Sequence, residues 1–115
     1  MGYRSQAVLV VGKEVMPQFM VTMAKSPEAR RLCWSDHDKM IKDYDGEGNI
    51  LFAWSYIKWY EGYEPIDAIS DFMDWCESEE KEEDFRFVRV GENSDDAVER
   101  GWLTQDVHLH REISY

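Results

Sequence analysis

Residues 35–60, SDHDKMIKDYDGEGNILFAWSYIKWY, decide the fold, because two incompatible readings compete for their first half. Ser35 with Asp38 has the form of a helix start, a hydroxyl side chain placed to cap free backbone N–H groups. Residues 39–45, KMIKDYD, have instead the look of a strand running into a turn. The turn favours the strand. DGEGN at 45–49 carries two glycines, which reach positive φ at no steric cost, and such a segment between two apolar runs marks a hairpin. NILFAWSYIKWY at 49–60 is dense in residues that fit a pleated, half-buried surface. Residues 39–60 therefore read as a β-hairpin.

Toward the N-terminus, QAVLVV at 6–11 is aliphatic and stopped by Gly12, the pattern of a short strand buried on both faces. Arg4 and Ser5 precede it. A secretory signal would place its charge there too, but residues 7–11 fall short of an apolar core of about 7–15 residues and no small-residue cleavage pattern follows. The expectation is a structural strand, with Tyr3 covering the sheet edge and Arg4 bonding a carboxylate or carbonyl at the sheet end. Met16, Phe19, Met20 and Met23 then recur at helical spacing, with Pro17 near the start. Ser26, Pro27 and Glu28 repeat the start signal, so residues 14–33 read as a kinked or two-part helix.

Toward the C-terminus, Pro65 opens the clearest helix, with Ile66, Ile69, Met73 and Cys76 on one stripe, flanked by Phe72 and Trp75. It runs into ESEEKEED at 77–84, where like charges repel. FRFVRVG at 85–91 reads as a strand, and ENSDDAVERG at 92–101 as an acidic loop holding one helical turn capped by Ser94. In LTQDVHLHREISY, Leu103, Val107, Leu109, Ile113 and Tyr115 fall on one face and Thr104, Asp106, His108, His110 and Glu112 on the other, as in a strand with one wet face. The sum is a single α+β domain over residues 1–115, in the ferredoxin-like order β-α-β-β-α-β with an added C-terminal strand. It predicts an antiparallel sheet with two helices on one face and the other face open to a partner or a second copy.

Among 115 residues, 13 Lys and Arg face 24 Asp and Glu, a formal net charge of −11. Such a surface repels phosphates, so direct nucleic-acid binding by clustered Lys and Arg is not expected. A basic protein surface, a small molecule in a local basic pocket, or a DNA-gripping protein deceived by an acidic decoy remain as partners. The plainer reading is that the charge keeps an aromatic-rich domain in solution. Cys33 and Cys76 have no CxxC partner and read as buried reduced thiols of a cytosolic protein. No apolar stretch approaches the ~20 residues of a membrane helix.

His108 and His110, two apart on a strand face, are placed to share a metal with Asp106 or Glu112, and His37 is the one further histidine. The competing reading is a solvated or interface strand face. No nucleophile elbow and no Gly-rich phosphate loop is present, so no catalytic residue and no cofactor is assigned. Trp54, Tyr56, Trp59, Tyr60 and Tyr63, interleaved with Lys58, suit a nucleobase and its phosphate, or equally a core and a protein interface. Arg4, Arg86 and Arg89 are the cations that stand out on adjacent strands. Arg4, Trp54, Tyr56, Lys58, Arg86 and Arg89 form the candidate ligand set, with pairing of the arginines to acids such as Glu92 as the structural alternative.

MGYRS before an aliphatic strand, IKWYEGYEPI in the middle and FRFVRVGENSDDAVE near the end together resemble a group of small uncharacterised proteins of tailed bacteriophages. The resemblance carries no catalytic residues. It implies an accessory protein made in the host cell cytoplasm during infection, and does not choose between blocking a host protein and sequestering a nucleotide. The net charge of −11 without a catalytic constellation favours a non-enzymatic protein that binds and inhibits a host or host-defence protein through an acidic, aromatic-rich surface. A sink for a small nucleotide signal of host defence and a small metal-dependent enzyme are the alternatives.

Overall fold

In the computed structural model, which describes residues 3–44, 46–93, 95–104, 107–109 and 113–114, everything is built around the aliphatic run near the N-terminus. Ser5–Val11 is β1, and residues 7–11 have no exposed surface at all. Because side chains alternate across a strand, Ala7, Leu9 and Val11 point to one side while Val8 and Val10 point to the other. Each side meets its own apolar cluster.

The hairpin at 39–60 forms. Lys39–Ile41 is β2 and Ile50–Ile57 is β3, paired antiparallel with Met40 opposite Phe52. Phe85–Val90 is β4, and both β3 and β4 pair antiparallel with β1, so that Leu9 has Phe52 on one flank and Phe87 on the other. The register between β1 and β3 shifts between Ser5 and Ala7. This is a bulge at the strand entrance, of the kind that re-aims side chains at sheet ends.

Three helices cover the Ala7, Leu9 and Val11 side. Met16–Lys25 is α1 and Pro27–Trp34 is α2, burying Phe19 and Met23, and Ala29 and Cys33, respectively. They are separate helices because the ring of Pro27 disfavours helical geometry at the residue before it. Ser26 accordingly sits at φ −131° and ψ 95°, and its Oγ accepts the Ala29 N–H at 3.2 Å, a working N-cap. Glu64–Ser78 is α3, with Ile66, Ile69, Phe72, Met73 and Cys76 buried against the sheet. Phe19 sits 5.0 Å from Phe72 and 5.8 Å from Phe52, centroid to centroid, tying α1 to α3 and the sheet. Among the described residues no helix is long and apolar enough to cross a membrane.

Two expectations for the C-terminal third need correction. Residues 92–101 were expected as a loop with a helical turn, but Ala97–Gly101 is β5, a strand that pairs with β4 at the sheet edge; the proposed cap Ser94 lies outside the described residues. Its hydrophobic pattern is weak. What holds it is backbone pairing, plus Arg100, whose guanidinium reaches Glu77 and Asp74 on α3 at 2.8 and 2.7 Å. The five-stranded antiparallel sheet thus has the order β2-β3-β1-β4-β5.

Residues 103–115 were expected as one added strand. Instead His108–Leu109 (β6) and Ile113–Ser114 (β7) form a separate two-stranded sheet. Val107 and Ile113 are buried against Val8, Val10, Leu51, Ala53 and Val88, with Leu103 packed beside them. The far face of the main sheet is therefore covered at its centre, where an open face was expected. The reason lies in the strands: with Val8, Val10 and Val88 pointing that way, bare exposure would leave a contiguous apolar patch. Gln6 fastens the cover by accepting the Ile113 N–H through Oε1 at 3.2 Å.

Gly101 ends β5 at φ +71°, and a Cβ there would run into the Phe85 carbonyl. Gly101→Ala meets both a left-handed backbone and a clash with β4, so it is expected to cost at least about 1–3 kcal/mol in urea unfolding. Equal stability of the variant would show that the β4–β5 approach is not as described.

Candidate functional site

The candidate ligand set splits across the sheet. Arg86 and Arg89 are three residues apart on one strand, so they face opposite sides. Arg86 lies opposite Val10 and points toward the C-terminal cover. Its Nε–H donates to the Val107 carbonyl at 3.0 Å, Nη1 to the Gly101 carbonyl at 3.0 Å, and Nη2 to Glu99 Oε1 at 2.7 Å. Arg89 lies opposite Ala7 on the helical side and near the start of β1. It forms a forked pair with Asp96 at 2.7 and 3.2 Å and also donates to Ser5 Oγ at 3.1 Å. Both guanidiniums are engaged by the fold, the structural alternative for these two residues.

Tyr3 joins the Arg89 group, donating to Asp96 Oδ2 at 2.7 Å and accepting the Asn93 N–H at 3.0 Å. The Arg89 hydrogen bonds, followed by that of Tyr3, hold the Asp96 carboxyl below its ordinary value. Tyr3 is thereby bonded to the β4–β5 turn at the end of the sheet, where cover of the sheet edge was expected; the edge strands are β2 and β5. Arg4 also departs from expectation. Among the described residues its guanidinium has no bond to a carboxylate or carbonyl; it lies over the Tyr56 ring at 4.9 Å, while its backbone N–H donates to Glu92 Oε1 at 3.1 Å. The end of β1 is tied down by backbone, which leaves the side chain on the surface.

Four of the six candidates do come together. Arg4, Trp54, Tyr56 and Lys58 border one cavity of about 280 Å³ at the end of β1 and β3, shared with Asp36 and Asp38 from the link between α2 and β2. A second cavity of about 280 Å³ lies beside it, also bordered by Arg4 and Tyr56, with Ser55 and Glu92 on its rim. Trp54 serves the core: it is 2% exposed, its Nε1–H donates to the Leu32 carbonyl at 3.1 Å, and its ring stacks on Phe52. Trp59 packs on Phe87 at 4.9 Å. The aromatics on the outside are Tyr56, 71% exposed, with Tyr63 and Tyr60. Tyr60 donates its O–H to the Tyr3 carbonyl at 2.9 Å, which fixes the 58–63 loop against the strand entrance.

The acidic side of this surface was not singled out in the sequence. Asp38 accepts the Ser55 N–H and Glu92 accepts that of Arg4, so carboxylates sit between the tyrosines. Asp67 Oδ1, accepting the Gly62 N–H at 2.9 Å, holds the turn that carries Glu61 and Tyr63. Acids two residues from a short strand or inside a tight turn are the signal that was available.

The histidines do not converge among the described residues. His37 Nδ1–H donates to the Cys33 carbonyl at 2.8 Å on the helical side, whereas His108 is on β6. Asp106, His110 and Glu112 lie outside the described residues, among which no group of three or more metal-ligating side chains is placed to hold an ion. Cys33 and Cys76 are both free and fully buried, and burial pushes each thiol up to about 12, which removes them as nucleophiles at neutral pH.

The carboxyl shifts set a pH dependence with a definite sign. Asp96 is depressed in the fold, so its contribution is complete above the unfolded carboxylate value and is lost as pH falls through the folded one. Glu64 is raised, chiefly by the neighbouring Glu28 carboxyl, so its contribution is present at acid pH and lost as pH rises through the folded value. Asp96→Asn is expected to lower Tm at pH 7, with the gap closing only below about pH 4. Glu28→Gln is expected to raise Tm at pH 7. Melting curves across that range check both signs.

No protein-family model matches the chain, no curated protein matches it, and no solved structure matches it.

Proposed function

We propose that the protein is a non-enzymatic bacteriophage accessory protein that works in the host cytoplasm by stoichiometric binding of a host or host-defence protein, through the tyrosine-rich, acidic end of its sheet. The observation that carries this reading is Tyr56, 71% exposed and stacked with Arg4 in a surface that also holds Tyr60 and Tyr63. Tyrosine and arginine are the side chains that concentrate in binding hot spots, since they offer large, stiff contact area with hydrogen-bonding ends. Asp36, Asp38 and Glu92 around them favour a basic partner surface and a salt-dependent encounter. The resemblance to tailed-phage proteins supplies the biological setting. The β4-β1-β3-β2 part of the sheet with its helices fits a ferredoxin-like plan, to which β5 is an added edge.

A nucleotide sink is the second reading, favoured by the convergence of Arg4, Tyr56 and Lys58 on one cavity. It is the weaker one, because Asp36 and Asp38 line the same cavity and oppose a phosphate, and because Trp54 is too buried to stack on a base.

Capture from host lysate, compared between the wild type and Tyr56→Ala, tests the first reading. The variant is expected to keep Tm within about 4 °C, since exposed substitutions cost little, and to lose the captured protein. Equal recovery by the variant, or recovery indifferent to salt, removes the surface as the binding site. Thermal-shift measurements with cyclic and ADP-ribose-type nucleotides test the second: a site needs a rise in Tm that Arg4→Ala abolishes.

A further inference from the structure

Away from the sheet end, α1 and α2 enclose a groove of about 440 Å³, with Met20, Met23, Pro27 and Trp34 as its apolar walls and Arg30 and Arg31 on its rim. None of the residues around the two sheet-end cavities lines it. The groove arises from the corner that Ser26 and Pro27 impose on the two helices. Residues 27, 30, 31 and 34 fall on one stripe of α2, and Met20 and Met23 face them from α1.

The arginines make this groove unusual in so acidic a chain. Arg86, Arg89 and Arg100 are each held by carboxylates, and Arg4 is stacked on Tyr56. Arg30 and Arg31 have no ion pair among the described residues, although the chain has 24 acidic residues to offer. Met20 stands 48% exposed beside them. An adaptable, polarizable thioether next to two exposed guanidiniums is suited to an apolar anchor flanked by carboxylates. The volume lies in the range of pockets that enclose a ligand-sized group, roughly 300–1,000 Å³.

We propose that the α1–α2 groove docks an acidic amphipathic segment of a partner protein, seating an apolar side chain between Met20, Pro27 and Trp34 over the buried Met23 while its carboxylates pair with Arg30 and Arg31. A polyphosphate or nucleic acid is disfavoured because it pairs with the arginines but leaves the apolar walls of Met20, Pro27 and Trp34 without a contact. The proposal concerns a different surface from the tyrosine-rich end and a partner of opposite charge, so either site stands or falls without the other.

The test uses fluorescein-labelled helical peptides of roughly fifteen residues. One has Glu along one face with Leu and Phe on the other, a second has Lys in place of Glu, and a third has Ala in place of Leu and Phe. Anisotropy is expected to show binding of the first, none of the second and weak binding of the third. Arg30→Glu with Arg31→Glu is expected to weaken the first by on the order of tenfold or more, and Met20→Ala to weaken it further, with Tm unchanged because these side chains are exposed. The proposal is overturned if the charge-reversed variant binds the first peptide as well as wild type, if the Lys peptide binds tighter, or if the first peptide does not bind. Inorganic pyrophosphate binding as tightly as the peptide would make this a simple anion site. Self-association in sedimentation that the charge reversal abolishes would make the occupant a second copy. Either result also overturns it.

Discussion

Five consecutive residues, Ala7 through Val11, have no exposed surface, and a strand sends alternate side chains to opposite sides, so apolar material has to be supplied on both faces of the sheet. That demand shapes the remainder of the chain. The larger supply comes from α1, α2 and α3 with their phenylalanines and sulfur-bearing side chains, and the smaller from Leu103, Val107 and Ile113. An irregular cover with two short strands does that work, held by Gln6 and Arg86 through its backbone.

Where a local chemical signal governs the structure, the sequence was readable. The glycines of the 45–49 turn, the Ser26–Pro27 start of α2 and the stripe of Ile66, Ile69, Met73 and Cys76 each act on their immediate neighbours, and each element formed. Residues 97–101 gave no such signal, because β5 depends on a bond from Arg100 to a helix more than twenty residues earlier. Residues 103–115 alternate apolar and polar in sequence, but alternation says which side chains go inward, not which sheet they join. Val107 and Ile113 did go inward, onto a different face.

The candidate site was legible to a similar depth. Arg4 and Tyr56 meet because β1 and β3 are antiparallel neighbours, with Ser5 opposite Ile57, and that adjacency follows from the topology. Grouping Arg86 with Arg89 overlooked the period of a strand, which puts residues three apart on opposite faces. The aromatic cluster could not be divided into inside and outside before the fold was known. Trp54 points inward, whereas Tyr56, two residues later, is turned out at the register shift against β1, and Ile57 beyond it is again buried on the helical side.

Arg86 also imposes an order of events on a chain made from its N-terminus. Its guanidinium holds the carbonyls of Gly101 and Val107, 15 and 21 residues further along, so the latch cannot close until β5 has emerged and paired. Until residues 107–113 follow, Val8, Val10 and Val88 of the growing sheet face water. In that interval the nascent domain has a finished helical side and a sticky bare side. A net charge of −11 sets such chains against one another by simple repulsion while that apolar face is bare.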